Sequence, residues 1–251
     1  MTNESNKVCI ITGGGSGIGR ALALRLTQAS AQVVLVGRAR PKLEETAAAC
    51  AKVGNTPAVY SLDVANKPAV EQMAAEIVER YGKIDALINN AGHSSVNRGL
   101  LTTTPDEIKS VLDSNLVGTI YCTQAVLPTM LRARSGIVVN ISSRSGTHPG
   151  LLGGMIYSAA KAAVINFTGF LREEFKNSGV RFSVVIPGEV DTPIIDKRPI
   201  PPDPSARETM VPADEAADVI ASLIELSDRT SIPEIQILPT YLRDVSAELK
   251  K

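Results

Sequence analysis

Short, near-continuous runs rich in Val, Ile and Leu recur along this chain, and longer segments of helical periodicity separate them. The runs lie at 8–11, 33–36, 58–60, 84–88, 137–141, 180–186 and 234–238. A strand with one wet face alternates apolar and polar residues, whereas a continuous apolar run suits a strand buried on both faces of a parallel sheet. Between the runs, 21–28, 42–53, 69–81, 105–132, 156–177 and 214–226 read as helices. In 69–81, for example, Val70, Met73, Ala74, Ile77 and Val78 form one stripe. Strand–helix alternation with right-handed crossovers predicts an α/β fold, a doubly wound parallel sheet of about seven strands with helices on both faces. One domain is expected over residues 1–251, since sheets of this class reach that length with a single core.

Two features are expected to perturb the pattern. Pro128 should bend the 105–132 helix or end it early, while Thr104-Pro105-Asp106 supplies that helix with a cap, a proline in its first turn and an acid. The segment 191–212 carries six prolines, among them Pro193, Pro199 and Pro212. A stretch of that kind inside a compact domain reads as a lid or binding loop, so a substrate loop is expected at about 190–212.

Composition removes several classes of function. Lys and Arg together number 26, as do Asp and Glu, and no basic run stands out, so nucleic acid is not an expected partner. Cys9, Cys50 and Cys122 form no Cys-x-x-Cys pair, and with only His93 and His148 no metal cluster is expected. The start of the chain shows no secretory signal and no apolar run reaches the roughly 18 residues of a membrane span. The expectation is a cytoplasmic protein with reduced thiols.

The residues that carry chemistry fall at the carboxyl ends of the strands, where ligands bind in open α/β sheets. Thr12-Gly13-Gly14-Gly15-Ser16-Gly17-Ile18-Gly19 follows the first run and opens a helix. Glycines let the backbone approach a pyrophosphate, and the helix start offers free N–H groups. Asn89-Asn90-Ala91-Gly92 ends the fourth run, Ser142-Ser143 the fifth, and Pro187-Gly188-Glu189-Val190-Asp191-Thr192 follows the sixth. Tyr157 and Lys161 stand four residues apart on one helical face. An ammonium beside a phenol favours the phenolate, which suits Tyr157 to proton transfer.

Together, in this order and over nearly the whole chain, these motifs resemble the short-chain dehydrogenase/reductase family. The resemblance implies a Rossmann-type fold and hydride transfer between a nicotinamide cofactor and a carbonyl or secondary alcohol (a ketone, an aldehyde or a 3-oxo/3-hydroxy acid). It implies that Asn115, Ser143, Tyr157 and Lys161 are the catalytic tetrad. The cofactor would be held by Gly13, Gly15, Ser16, Gly17, Ile18 and Gly19, by Asp63 and Val64 at the adenine, and by Asn89, Ala91 and Gly92. Tyr157, Lys161, Pro187, Gly188, Val190 and Thr192 would complete its site. Arg144, His148 and Glu189 fall where substrate is expected. The chain lacks the Gly-Gly element that follows the last strand in many fatty-acyl reductases of the family, and its ending at 234–240 is more similar to 3-hydroxy-acid or aldehyde reductases.

The cofactor is expected to be NADP(H). An acid at the end of the second strand selects NAD by binding the ribose hydroxyls. Here Gly37 stands in that place and Arg38 follows, able to pair with a 2′-phosphate. Ser16 stands where many NADP-dependent relatives carry Lys or Arg. A homodimer or homotetramer is implied, paired through the long helices. The alternative on the same fold is a dinucleotide-sensing or partner-binding protein, which usually lacks the Tyr or the Lys retained here.

Overall fold

The computed structural model of the protein describes residues 7–249. The apolar runs become β1 (Val8–Thr12), β2 (Gln32–Gly37), β3 (Ala58–Ser61), β4 (Ala86–Asn89), β5 (Ile137–Ile141), β6 (Arg181–Pro187) and β7 (Glu234–Ile237). They form one parallel sheet in the order β3-β2-β1-β4-β5-β6-β7. Every residue of β1, β4, β5 and β6 is buried, as continuous apolar runs require, whereas the edge strand β7 alternates exposed and half-buried positions.

Side chains alternate faces along a strand, so neighbouring residues serve different cores. Ile11, Leu35 and Ile88 pack with Leu22 and Leu26 of α1 (Gly17–Gln28), with Leu43 of α2 (Arg40–Cys50), and with residues of a helix near the chain's end such as Ile220. Ile10, Val34 and Leu87 point the other way, onto Met73 and Ile77 of α3 (Lys67–Tyr81) and onto the helices that follow β4. Ile10 and Ile11 are both fully buried, and truncating either to Ala should cost about 2–5 kcal/mol.

The 105–132 segment is not one α-helix. α4 (Pro105–Leu112) opens with a capping box in which the Glu107 N–H donates to Thr104 Oγ1 (3.3 Å) and the Thr104 N–H to Glu107 Oε2 (3.0 Å). A π-turn at Asp113–Val117 follows, and then α5 (Gly118–Ala133). The expectation that Pro128 ends the helix early is not met. α5 runs through Pro128 to Ala133 and stops at Arg134, whose φ of 51° is left-handed. The interruption sits at Asn115, where an extra residue turns the helix without any proline.

α6 (Met155–Glu174) lies beside β5 and β6. The proline-rich loop is ordered by a 3₁₀ turn (Ile195–Lys197), the short α7 (Pro204–Arg207) and a bridge between Val190 and Val211. α8 (Ala213–Glu225) contributes Ile220 to the first core. All three cysteines are free and buried, and burial pushes the Cys9 and Cys122 thiols up to about 12. Among the described residues no helix is long and apolar enough to cross a membrane, and no cluster of ligands could hold a metal ion.

Candidate active site

Neighbouring strands β1 and β4 send their connections to opposite faces of the sheet, which opens a crevice at their carboxyl ends. Thr12 stitches this point together. Its Oγ1 donates to Ile88 O (3.3 Å) and accepts from the Asn90 and Ala91 N–H groups (3.0 and 2.9 Å). Asn90 Nδ2 in turn donates to Thr12 O at 3.0 Å. Above them lies a cavity of about 610 Å³.

Most of the sequence-predicted residues meet there. Gly13, Ser16, Gly17 and Ile18 line the cavity from the β1–α1 loop, and Ala91 and Gly92 from the end of β4. Asn115, Ser143, Tyr157 and Lys161 line it too, with Arg144 and His148, and with Pro187, Gly188, Glu189, Val190 and Thr192 from the end of β6. Gly13 and Gly17 have φ of +67° and +52°, a conformation that glycine adopts without cost. A β-carbon on Gly19 would lie 2.4 Å from Gly13 O, so this glycine lets the helix start fold tightly under the loop. Thr192 is buried against Gly17 and donates to Val190 O at 3.2 Å.

Six of the predicted cofactor residues lie off the cavity wall. Gly15 packs against Lys42, and Gly19 lies beneath the loop. Val64 is buried against Gly118. Asn89 donates to Asn140 Oδ1 (2.8 Å) and Thr123 Oγ1 (3.1 Å), and Asn140 donates to Thr168 Oγ1 (2.9 Å). This buried chain ties β4 and β5 to α5 and α6. Arg38 and Asp63 stand beyond the ends of β2 and β3, at a smaller recess of about 170 Å³, with Arg38 Nη1 3.9 Å from Asp63 Oδ2.

The polar atoms at the back of the cavity are sharply constrained. Ser142 Oγ is buried and donates to Lys161 O at 2.8 Å, whereas Ser143 Oγ faces the cavity and accepts from the Ser145 N–H at 3.1 Å. Lys161 Nζ is buried, donates to Ile141 O at 2.8 Å and lies 5.6 Å from the Tyr157 ring centre. Burial pushes its pKa down to about 8. Burial also raises the Tyr157 pKa, against the lowering effects of the Ser143 hydroxyl and the Arg98 and Arg198 charges. The expected depression of the phenol's pKa by Lys161 is therefore not what the protein groups produce by themselves. Asn115 Nδ2 donates to His93 O (2.8 Å) and Val111 O (2.9 Å), while its buried Oδ1 has no partner among the described residues.

The far wall comes partly from residues that sequence reasoning missed. Tyr241, Leu242 and Arg243 line the cavity beside Arg98. Four mostly buried charges close a ring there. Arg198 reaches Glu189 and Glu248, both at 2.9 Å, and Arg243 reaches Glu189 at 2.7 Å and Glu248 as well. Burial works to raise the Glu189 pKa, but hydrogen bonds from Arg243 and Arg198 outweigh it and leave the carboxyl below its usual range. Arg98 lies in the loop after β4, one of the strand ends where ligands bind, whereas nothing in the sequence around Arg243 signals its role.

A family model described as "short chain dehydrogenase" matches residues 7–200. An uncharacterized oxidoreductase of Staphylococcus aureus (strain N315) is 36% identical over 239 residues, covering 95% of this chain and 100% of that protein. Among solved structures, the closed form of a serine dehydrogenase complexed with NADP+ is similar with a TM-score of 0.84 and 26% identity, covering 95% of this chain and 97% of the other. An alcohol dehydrogenase from the archaeon Thermococcus sibiricus complexed with 5-hydroxy-NADP also gives a TM-score of 0.84 at 26% identity, covering 95% and 99%. The strand order, the glycine loop under the cavity and these matches agree: the chain belongs to the short chain dehydrogenase family and is an oxidoreductase of that type.

Proposed function

We propose that this protein is an NADP(H)-dependent reductase and dehydrogenase that interconverts a small carbonyl compound and the matching secondary alcohol. The observation that carries this reading is the convergence of Ser143, Tyr157 and Lys161 on one cavity with the glycine loop at its floor. The residues fit a dinucleotide. Gly13 and Gly17 hold left-handed φ and pack against Asn90 and Thr192, which keeps the loop tight, the start of α1 offers N–H groups to a pyrophosphate, and Thr192 stands over the loop. Bound there, the nicotinamide supplies or accepts the hydride. Two similar proteins are described with NADP+ and 5-hydroxy-NADP, which supports NADP(H) over NAD, as does Arg38 beyond β2.

The chain's own groups handle the proton and the charge. Tyr157, kept protonated by burial, donates its phenolic proton to the reacting oxygen in reduction and accepts it back in oxidation. The Ser143 hydroxyl donates to the same oxygen and stabilises the charge that grows on it. Lys161 would hold the nicotinamide ribose when the cofactor is bound. Asn115 Oδ1 and Lys161 Nζ both approach Gly92, and the unpartnered Oδ1 is open to accept from a water that relays a proton toward Lys161.

The test is consumption of NADPH with a panel of ketones, aldehydes and 3-oxo acids, on wild type and Tyr157→Phe. Turnover should fall by about 10²–10⁴ in the variant while NADPH still binds. Binding without turnover of any carbonyl or alcohol would favour a dinucleotide sensor, and wild-type turnover by Tyr157→Phe would overturn the mechanism.

A further inference from the structure

Five cationic side chains line the cavity: Arg98, Arg144, Lys161, Arg198 and Arg243. Arg198 and Arg243 are committed to Glu189 and Glu248, and that ring of two cations and two anions has no net charge. Lys161 donates to Ile141 O. Arg144 makes no ion pair among the described residues, but none of its nitrogens is both buried and unpartnered. Arg98 differs from all of these. Its Nε is buried without a hydrogen-bond partner, and no described carboxylate lies within ion-pair distance of its guanidinium.

The backbone around Arg98 is held firmly. Glu107 accepts from the Val96 and Asn97 N–H groups at 3.1 and 2.9 Å, pinning the loop just before it. Arg98 O accepts from the Met155 N–H at 3.0 Å, at the start of the helix that carries Tyr157. Gly154 packs on the Arg98 stem, where a β-carbon would come within 3.0 Å of its Cβ and Cγ. Arg98 and Tyr157 line the same cavity. A half-buried guanidinium left without an anion is costly, and a carboxylate relieves that cost through short, bidentate, charge-assisted bonds.

We propose that Arg98 binds a carboxylate of the substrate, so that the enzyme selects small oxo acids and the matching hydroxy acids over neutral carbonyls. The proposal rests on the reductase reading above and adds the substrate's charge to it. Position favours substrate over cofactor as the anion's source, because Arg98 lines the cavity that holds Tyr157 and is tied to the start of α6, while Arg38 lies beyond β2, at a separate recess.

The experiment compares kcat/KM for 3-oxobutanoate and its methyl ester, with NADPH, in wild type, Arg98→Met and Arg98→Lys. Wild type should prefer the acid by about ten- to a hundredfold. Arg98→Met should collapse that acid-to-ester ratio mainly through KM, and Arg98→Lys should restore part of it. A role confined to the phenol of Tyr157 would change acid and ester alike. Calorimetric binding of butanoate to the NADP+-loaded protein gives a readout that needs no turnover, and it should weaken at least tenfold in Arg98→Met. A wild type that prefers the ester, or an unchanged ratio and unchanged butanoate binding in Arg98→Met, overturns the proposal. Loss of all carbonyl turnover with butanoate binding still dependent on Arg98 would instead overturn the reductase reading and leave the anion site standing. Thermal melts of each variant separate lost binding from lost folding.

Discussion

Asn115 Oδ1 and Lys161 Nζ converge on Gly92: a β-carbon built there would lie 2.3 Å from the first and 3.4 Å from the second. Gly92 is thus a spacer between an unpartnered buried acceptor and a buried ammonium. Filling the gap with a methyl group forces the Asn115 amide aside. Gly92→Ala should lower kcat by roughly 10–100-fold, since displacements of about 1 Å carry costs of that size. If both act through the same gap, Gly92→Ala combined with Asn115→Ala should cost no more than the worse single change. Steady-state kinetics on the three variants check this, and full activity in Gly92→Ala would refute it.

Acidity gives a second expectation. Lys161 sits at about 8, so its ammonium is lost as pH rises through that value. Tyr157 is raised and remains a proton donor over the same range. In the reductive direction, kcat/KM for the cofactor reports groups of the free enzyme and should be level below about 8 and fall above it. Lys161→Arg should carry that falling limb to higher pH. The sign for stability is opposite. Burial penalises the charged lysine, so stability should rise between about 8 and the ordinary lysine value near ~10.4. Thermal melts across that window measure it.

Cofactor choice turns on Arg38. The residue is 64% exposed and its distance of 3.9 Å from Asp63 is beyond hydrogen bonding, so its donors remain open to a phosphate. Wild type should bind NADPH more tightly than NADH, and Gly37→Asp/Arg38→Ala should lose or invert that preference, by about ten- to a hundredfold. Paired fluorescence titrations decide it, with tighter NADH binding by wild type as the adverse result.

Assembly is testable on α6. Ala159, Ala162, Asn166 and Phe170 form an exposed stripe at helical spacing, and Phe170 is 59% exposed. We propose that this face pairs subunits of a homodimer or homotetramer. Sedimentation should show the oligomer for wild type and a shift toward monomer for Phe170→Glu. A monomeric wild type at micromolar concentration would contradict the proposal.

The central strands were legible because burial on both faces writes itself as near-continuous Val/Ile/Leu runs, as in β1 and β2, whereas the edge strands β3 and β7 carry a weaker signal because they are only half-buried. The gathering of the glycine loop, Ser143, Tyr157 and Lys161 at one cavity was legible too, because ligands of open α/β sheets bind at the carboxyl ends of the strands, where those motifs fall. What stayed hidden depends on contacts between distant residues. Arg243 meets Glu189 across 54 positions, and no local pattern announces that pairing. The π-turn was hidden for another reason. Helical periodicity averages over several turns, so one extra residue at 113–117 does not disturb the apolar stripe enough to be seen. The proline at 128 lies inside α5 and does not end it.

That π-turn makes the helix behave as though it carries a one-residue insertion. Each residue of an α-helix advances about 100° around the axis, and the wider π-turn absorbs the surplus residue so that the phase on either side of it is kept. Upstream, Val111 faces the packing around Tyr157; downstream, Cys122, Val126 and Met130 face the sheet. Asn115 lies in the widened turn between them. Deleting one neighbour of Asn115 within 113–117 would let the two halves close into a regular helix with both faces still satisfied. What would go is the widened turn that carries Asn115, so the surplus residue serves the cavity rather than the packing.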